Sequence, residues 1–372
     1  MRPLAALVRK DLLVARRAPL FAVISVLVPA AFTLLYAVVI HVSTTAPLAV
    51  ADDDRSPQSA ALVQVLANLH NDDGSYYELR TTDPETARAM YADGDVGALL
   101  TIPAGFGERV GSGDRPTVRL SLVNINADGT KNQHLRIEEA LRTFGSSPGD
   151  LTVAETTVLD HDIPVTVYLG SALLVFAALY AGIVTVGTGI AREWEDRTVK
   201  PLLMAPDGRR VLLAGKWASG AVTSVVTVAL ALAVIGGVLG YPVGRLGAGT
   251  LAVLAVVWAY GAALGSVLGV ALRKALPLVP VAVVLAVGHF LVNGYESYLR
   301  GFAHGGAVEP LWRATHGVPL ARLFDAVRFE AAGLVPPPGG TAAVLATLAL
   351  VAVLVALAGW LLRRPQNLTP GQ

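Results

Sequence analysis

Six apolar runs, each long enough to cross a hydrocarbon core, leave this chain few ways to fold. A bilayer core of about 30 Å takes roughly 20 helical residues. Runs of that kind lie at 20–42, 165–190, 211–239, 249–271, 277–294 and 341–362. In lipid every backbone polar group must be bonded within the segment, so such runs fold as helices. Composition agrees: 15% of the 372 residues are charged, against about 25% in soluble domains. Pro277 and Pro280 open the fifth run, where proline is best tolerated, and Pro29 predicts a kink in the first. The first run exceeds the h-region of a signal peptide, so it reads as a retained span, although VIHVSTTAPLAV offers a small-residue cleavage flank. The bias toward Ala, Val, Leu, Gly and Arg points to a bacterial gene of high GC content.

Lysine and arginine set the orientation, because they accumulate on the cytoplasmic side. With the N-terminus inside, the inner segments carry 14 of them and the two short outer connections carry 5. Six spans then place both ends inside, including the tail 363–372, in the cytoplasmic (inner) membrane of a bacterium. Residues 1–19 form an amphipathic interfacial helix. Leu4, Leu7, Val8, Leu12 and Ala15 share one face, and Arg2, Arg9, Lys10, Arg16 and Arg17 lie opposite, facing lipid phosphates. A net charge of +1 gives no pull toward nucleic acid.

Residues 43–164 break the apolar pattern. They hold 19 Asp or Glu and 9 Lys or Arg, and they are too long for a loop without its own fold. APLAVADDD, VGALLTIP and TVRLSLVNIN read as strands. SPQSAALVQVLANLH and DPETARAMYADG read as helices with Ser56 and Asp83 as N-caps and proline at the first helical position, and TKNQHLRIEEALRTF as a third. The expectation is an inserted extracytoplasmic α/β domain. Its Asp52-Asp53-Asp54 run reads either as a cation site or as a solvated strand end. His70, His134 and His161 have no ligand spacing, so no metal site is assigned.

The densest mixed charge lies at 191–210, AREWEDRTVKPLLMAPDGRR, between the second and third runs. Trp194, Leu202, Leu203 and Met204 interleave with the charges, which suits a docking segment with apolar anchors and a charged rim; a snorkelling interfacial loop is the plainer alternative. The chain carries no nucleotide loop: RRVLLAGKW has Gly215-Lys216 but Trp217 where Ser or Thr is needed. H-E-x-x-H is absent too, and no catalytic residue is assigned. Inside the spans the ionisable residues read as His289 and, at the end of the first, His41, which argues against ion coupling. Tyr168, Tyr180, His289, Phe290 and Asn293 are candidates to line a path, or ordinary packing residues. The segment 295–340 reads as re-entrant or surface helices capping the outer mouth, or as a plain amphipathic loop.

This pattern resembles the permease subunit of ABC-2-type exporters, in the subgroup with a large external domain after the first span. The residues carrying the resemblance are Lys10, Asp11, Arg17 and Pro19 in RKDLLVARRAPL, and Glu193, Glu195, Thr198, Leu202, Pro206, Gly215 and Lys216 in REWEDRTVKPLLMAPDGRRVLLAGK. VADDDRSPQSAALVQVL, ARAMYADGDVGALLTIPAGFGERV and VRLSLVNINADGTK look like the family's external segments. Lys200-Pro201 departs from the family's helical Glu or Gln before the Leu.

The resemblance implies an α-helical polytopic membrane protein with six transmembrane helices, paired with a second permease subunit and seated on separate ATPase subunits that bind ATP and Mg. The chain itself would bind no cofactor and not be an enzyme. It implies ATPase coupling through Arg192, Glu193, Trp194, Glu195, Thr198, Leu202, Pro206, Lys10 and Asp11. The expected function is ATP-driven export of a hydrophobic or amphipathic substrate such as a drug, lipid or lipid-linked molecule. The alternative is a membrane receptor or scaffold whose domain 43–164 binds a ligand or protein.

Overall fold

The structure is a computed structural model. It describes residues 2–17, 20–44, 46–71, 74–93, 95–96, 98–113, 117–122, 128–145, 163–294, 319–336 and 338–363. The chain divides into two compact units, Met1–Ala37 with Ile163–Gln372, and Val38–Asp162.

The first unit is helical. Helices α1 (Arg2–Arg17) and α2 (Leu20–Thr44) open the chain, and α3 to α6 lie in the second unit. Then follow α7 (Val165–Glu195), α8 (Val199–Met204), α9 (Gly208–Leu239), α10 (Ala248–Leu272), α11 (Ala275–Gly294), α12 (Pro319–Ala332) and α13 (Gly340–Leu361). Among the described residues α7, α9, α10 and α13 are long and apolar enough to cross a membrane; α2 and α11 contribute the shorter apolar stretches Val23–Leu35 and Ala275–Phe290.

α7 is apolar on every side up to Ala191, and a helix of that kind has to be buried on every side. It is: α9, α10, α11 and α12 all pack on it. α10 comes closest, through Gly261, Gly265 and Gly269 at four-residue spacing. A Cβ on each would stand within 2.5 Å of a backbone oxygen of α7, from Leu179, Ile183 and Gly187 respectively. Small residues at helix contacts do this work in membranes, where lipid removes the hydrophobic drive to associate. α9 and α13 leave most of their apolar surface exposed, including Val225, Leu230, Leu345 and Val353, which suits contact with lipid chains. α2 joins through Ser25, whose hydroxyl lies 3.1 Å from that of Thr227 on α9, and through Phe32, stacked 4.7 Å from Phe176 on α7.

The segment expected to cap an outer mouth lies largely outside the described residues, since 295–318 is not described. Its described part contains α12, whose Leu320, Leu323, Phe324, Val327 and Ala331 are buried. The Glu330 carboxylate on α12 accepts hydrogen bonds from Gly247 N–H at 2.9 Å and Thr250 Oγ1 at 2.7 Å. It thereby satisfies the free N–H at the N-cap of α10 and places a negative charge at that helix N-terminus.

The second unit is a two-faced α/β sheet. Strands β1 (Ala46–Asp52), β4 (Tyr77–Thr81), β5 (Ala98–Ile102) and β6 (Arg119–Leu122) lie in the order β4-β1-β5-β6. β1 runs parallel to β4 and β5, and β6 is antiparallel to β5. β2 (His70–Asn71) and β3 (Gly74–Ser75) form a separate small hairpin. Strand alternation sends Leu48 and Val50 to one face, against α3 (Pro57–Asn68), α5 (Phe106–Gly111) and α6 (Asp128–Gly145). It sends Ala49 and Ala51 to the other, against α4 (Pro84–Ala92). Burial on both faces explains why β1 reads as a continuous apolar run.

Candidate functional site

At the end of α7 a buried chain of charges joins three helices. Lys10 on α1 donates to Glu193 Oε1 at 2.7 Å and Oε2 at 2.9 Å. Lys216 on α9 donates to Glu193 Oε1 at 2.5 Å and to Asp11 Oδ1 at 2.7 Å. Ser219 Oγ donates to Asp11 Oδ2 at 3.0 Å, and Thr198 Oγ1 donates to Glu193 Oε2. The side chains of Glu193 and Lys216 are only 2% and 3% exposed. Buried charges are tolerated only when paired and hydrogen-bonded, and here two cations alternate with two carboxylates. Packing brings them together: Leu7 of α1 rests on Gly215, where a Cβ would stand 2.5 Å from Leu7 Cδ2.

Two sequence expectations change here. Lys10, expected to face lipid phosphates, turns into the protein because Glu193 needs a counter-charge. His289 and His41 are also not the only ionisable residues inside the spans. Lys216 lies within the third apolar run; the sequence reading met it in the rejected nucleotide loop and in the family resemblance, but did not count it among the charges inside the spans. The available signal was a lone cation in an apolar helix, which requires a partner by default.

Beyond Glu193 the chain turns sharply. α7 ends with Arg197 in the left-handed region (φ 55°). Thr198 N–H bonds back to the Glu193 carbonyl and Arg197 N–H to that of Trp194, the two closing bonds of a Schellman end. Glu195 Oε1 accepts from Ala275 N–H at 3.0 Å, fixing the start of α11. α8 then forms despite Pro201, which sits in its first turn where no intrahelical N–H is lost. Of the sequence-derived coupling set, Glu193 is buried, Arg192, Trp194, Thr198 and Leu202 are half-buried, and Glu195 and Pro206 are exposed. Lys10 and Asp11 are half-buried in the ion chain. Met204 of α8 is 75% exposed, with Lys200, Pro201, Ala205 and Arg209 also exposed around it.

The path candidates form a second cluster. Phe176 stacks with Tyr180 at 6.0 Å and meets Phe290 edge-on at 5.9 Å. Tyr168 meets Phe324 of α12 edge-on at 5.2 Å. His289 Nδ1 donates to the Leu285 carbonyl at 2.7 Å, and its Nε2 lies 3.3 Å from the Tyr260 hydroxyl. Phe176, His289, Phe290 and Phe324 help line a cavity of about 20 Å³, room for about one water. The side chains of Asn293 and His41 lie outside the described residues.

In the α/β unit the three aspartates each have protein partners. Asp52 accepts from Asp54 N–H, Arg55 N–H and Ser59 Oγ. Asp53 pairs with Arg88. Asp54 accepts from the N–H groups of Gly105, Phe106 and Gly107 at 2.7–3.0 Å, at the start of α5. The arrangement locks two loops together, which favours the structural over the cation-binding reading of this run.

Long apolar helices around a buried central one, with a charged turn at its end, define a helical membrane protein. Its family follows from comparison: residues 19–361 match the family model described as ABC-2 family transporter protein. The chain belongs to that family, whose members are membrane components of ABC transporters and work with ATPase subunits. No curated protein and no solved structure matches it.

Proposed function

We propose that this chain is the passive membrane subunit of an ATP-driven exporter. The carrying observation is the contrast at the end of α7. Met204 and its charged neighbours project outward, while a few residues earlier Glu193 is tied to α1 and α9 by buried ion pairs. A push on the projecting tip passes into three helices together, because the joint cannot yield without stranding a buried charge. Glu193, Thr198, Lys10 and Asp11 then act as the seat of the coupling segment, and Met204, Lys200 and Pro206 as its contact surface.

In this reading the chain crosses the bacterial cytoplasmic membrane six times, with α2 and α11 as the two shorter spans and both ends inside. Residues 43–164 lie outside the cytoplasm, and a second permease subunit completes the transporter. The substrate is hydrophobic or amphipathic. A co-expressed cognate ATPase, with ATP and Mg on that chain, is expected to co-purify with the permease. Met204→Asp should lower its recovery about tenfold, since a charge replaces an anchor worth about 1–2 kcal/mol at an interface. Recovery equal to wild type would remove this tip from the contact.

A further inference from the structure

Beside the ion-pair chain, α1, α7 and α9 enclose a cleft of about 80 Å³. Its inner end carries three cations and three carboxylates, Arg192 and Asp196 adding to the four charges described above. Its deep end is lined by Thr185, Thr188, Ser219 and Thr223. From Asp196 to Thr185 the α7 axis rises about 16 Å, roughly the depth of one leaflet's hydrocarbon. Two hydroxyl pairs adjoin that deep end: Thr185 with Ser224 at 3.0 Å and Ser25 with Thr227 at 3.1 Å. Next to Thr223 on α9, Val222, Val225 and Val226 are exposed and apolar.

We infer that this cleft binds the zwitterionic head of an inner-leaflet amphiphile, whose apolar chain lies along the exposed face of α9. The inference rests on the reading that α7 and α9 cross the membrane. Three properties select the ligand. The lining balances its charges, so a zwitterion meets Arg192 and Asp196 with the four-charge network left paired, whereas a net-charged head leaves one sign of the lining unmatched. A volume of this kind needs about 10–15 Å³ for each water, so the cleft takes several, which admits a small head but not a sugar polymer. The apolar wall lies beside the polar cleft, as one molecule with a head and a tail requires. The hydroxyl pairs beyond the cleft are weak bonds that a polar head can exchange for its own, so the cleft has a direction in which to pass a substrate onward.

The test uses the full-length chain in maltoside micelles and the retention of isotope-labelled lysophosphatidylethanolamine. Lysophosphatidic acid and monoacylglycerol carry the same tail with anionic and uncharged heads. The zwitterion is expected to bind about tenfold more tightly than either. Thr188→Leu with Thr223→Leu narrows the cleft without touching the four-charge network, and should abolish that preference. Melting temperature checks that the double variant is folded; a single Thr223→Leu serves if it is not. Equal binding of the three amphiphiles, or an unchanged preference in a folded variant, overturns the assignment. Recovery of the co-expressed ATPase, measured on the same variants, reports separately on coupling and should not change. In vesicles with ATP and that partner, a transported amphiphile changes leaflet and a resident lipid does not; either source supports the site.

Discussion

Lys216 carries more of this structure than its position in an apolar helix announces. It is 3% exposed and serves two carboxylates, whereas Lys10 is 38% exposed and serves one. Removing one partner from a buried pair costs about 3–5 kcal/mol, mostly because the remaining charge is stranded. Lys216→Met should therefore destabilise the helical unit by an amount near that range. Lys10→Met should cost about 1 kcal/mol or less, because water can reach its place. Thermal melting in detergent measures both, and Lys216→Met melting within a degree or two of wild type would show the network to be dispensable. The pairing was not legible in the sequence. Lys10 and Glu193 lie 183 residues apart, and local charge patterns carry no information over that distance. Glu193 was legible as a residue of interest, but its inward direction was not. RTVK follows it as though the whole segment were solvated.

At the scale of elements, the apolar helices were the most legible feature, because lipid leaves a long apolar run no alternative fold. The run read at 249–271 forms Ala248–Leu272, and that at 341–362 forms Gly340–Leu361. Less legible was β4, whose YELRT alternates around charged residues as an edge strand does. α12 was also obscured, being too short to span and lying inside a proline-rich segment. The glycine stripe on α10 gives a sharp comparison. Gly265→Val places atoms where Ile183 O stands 2.4 Å from an added Cβ, while Gly359 on α13 has open space around it. Overpacking of this kind costs about 1–3 kcal/mol. Gly265→Val should lower the melting temperature clearly and Gly359→Val hardly at all. The α/β unit should respond to acid. Hydrogen bonds from Ser56 and from the N–H groups of Gly107, Gly105 and Phe106 hold the Asp54 carboxyl below its ordinary value of 3.8. The N–H and hydroxyl of Thr86 do the same for Asp83. A depressed carboxylate contributes stability that is present above pH 3.8 and lost as pH falls through the folded value. The protection of residues 98–111 against hydrogen exchange, relative to the intrinsic rate at each pH, should fall below about pH 4 in the full chain. In Asp54→Asn that protection should be lower at neutral pH and less dependent on acid.

For the whole molecule, the account makes the chain a device moved from outside itself. It combines a buried central helix, a seat of paired charges and a projecting tip, and no nucleotide loop occurs in its sequence. Family membership supplies the transporter class; the geometry supplies a route by which force could enter. The direct measurement is ATP-driven movement of a labelled amphiphile across vesicles holding this chain and its ATPase. Wild type should hydrolyse ATP and move the amphiphile together. The chain alone should do neither, and Met204→Asp should lose most transport while remaining folded. ATP hydrolysis by the isolated chain, or undiminished transport through Met204→Asp, would contradict the account.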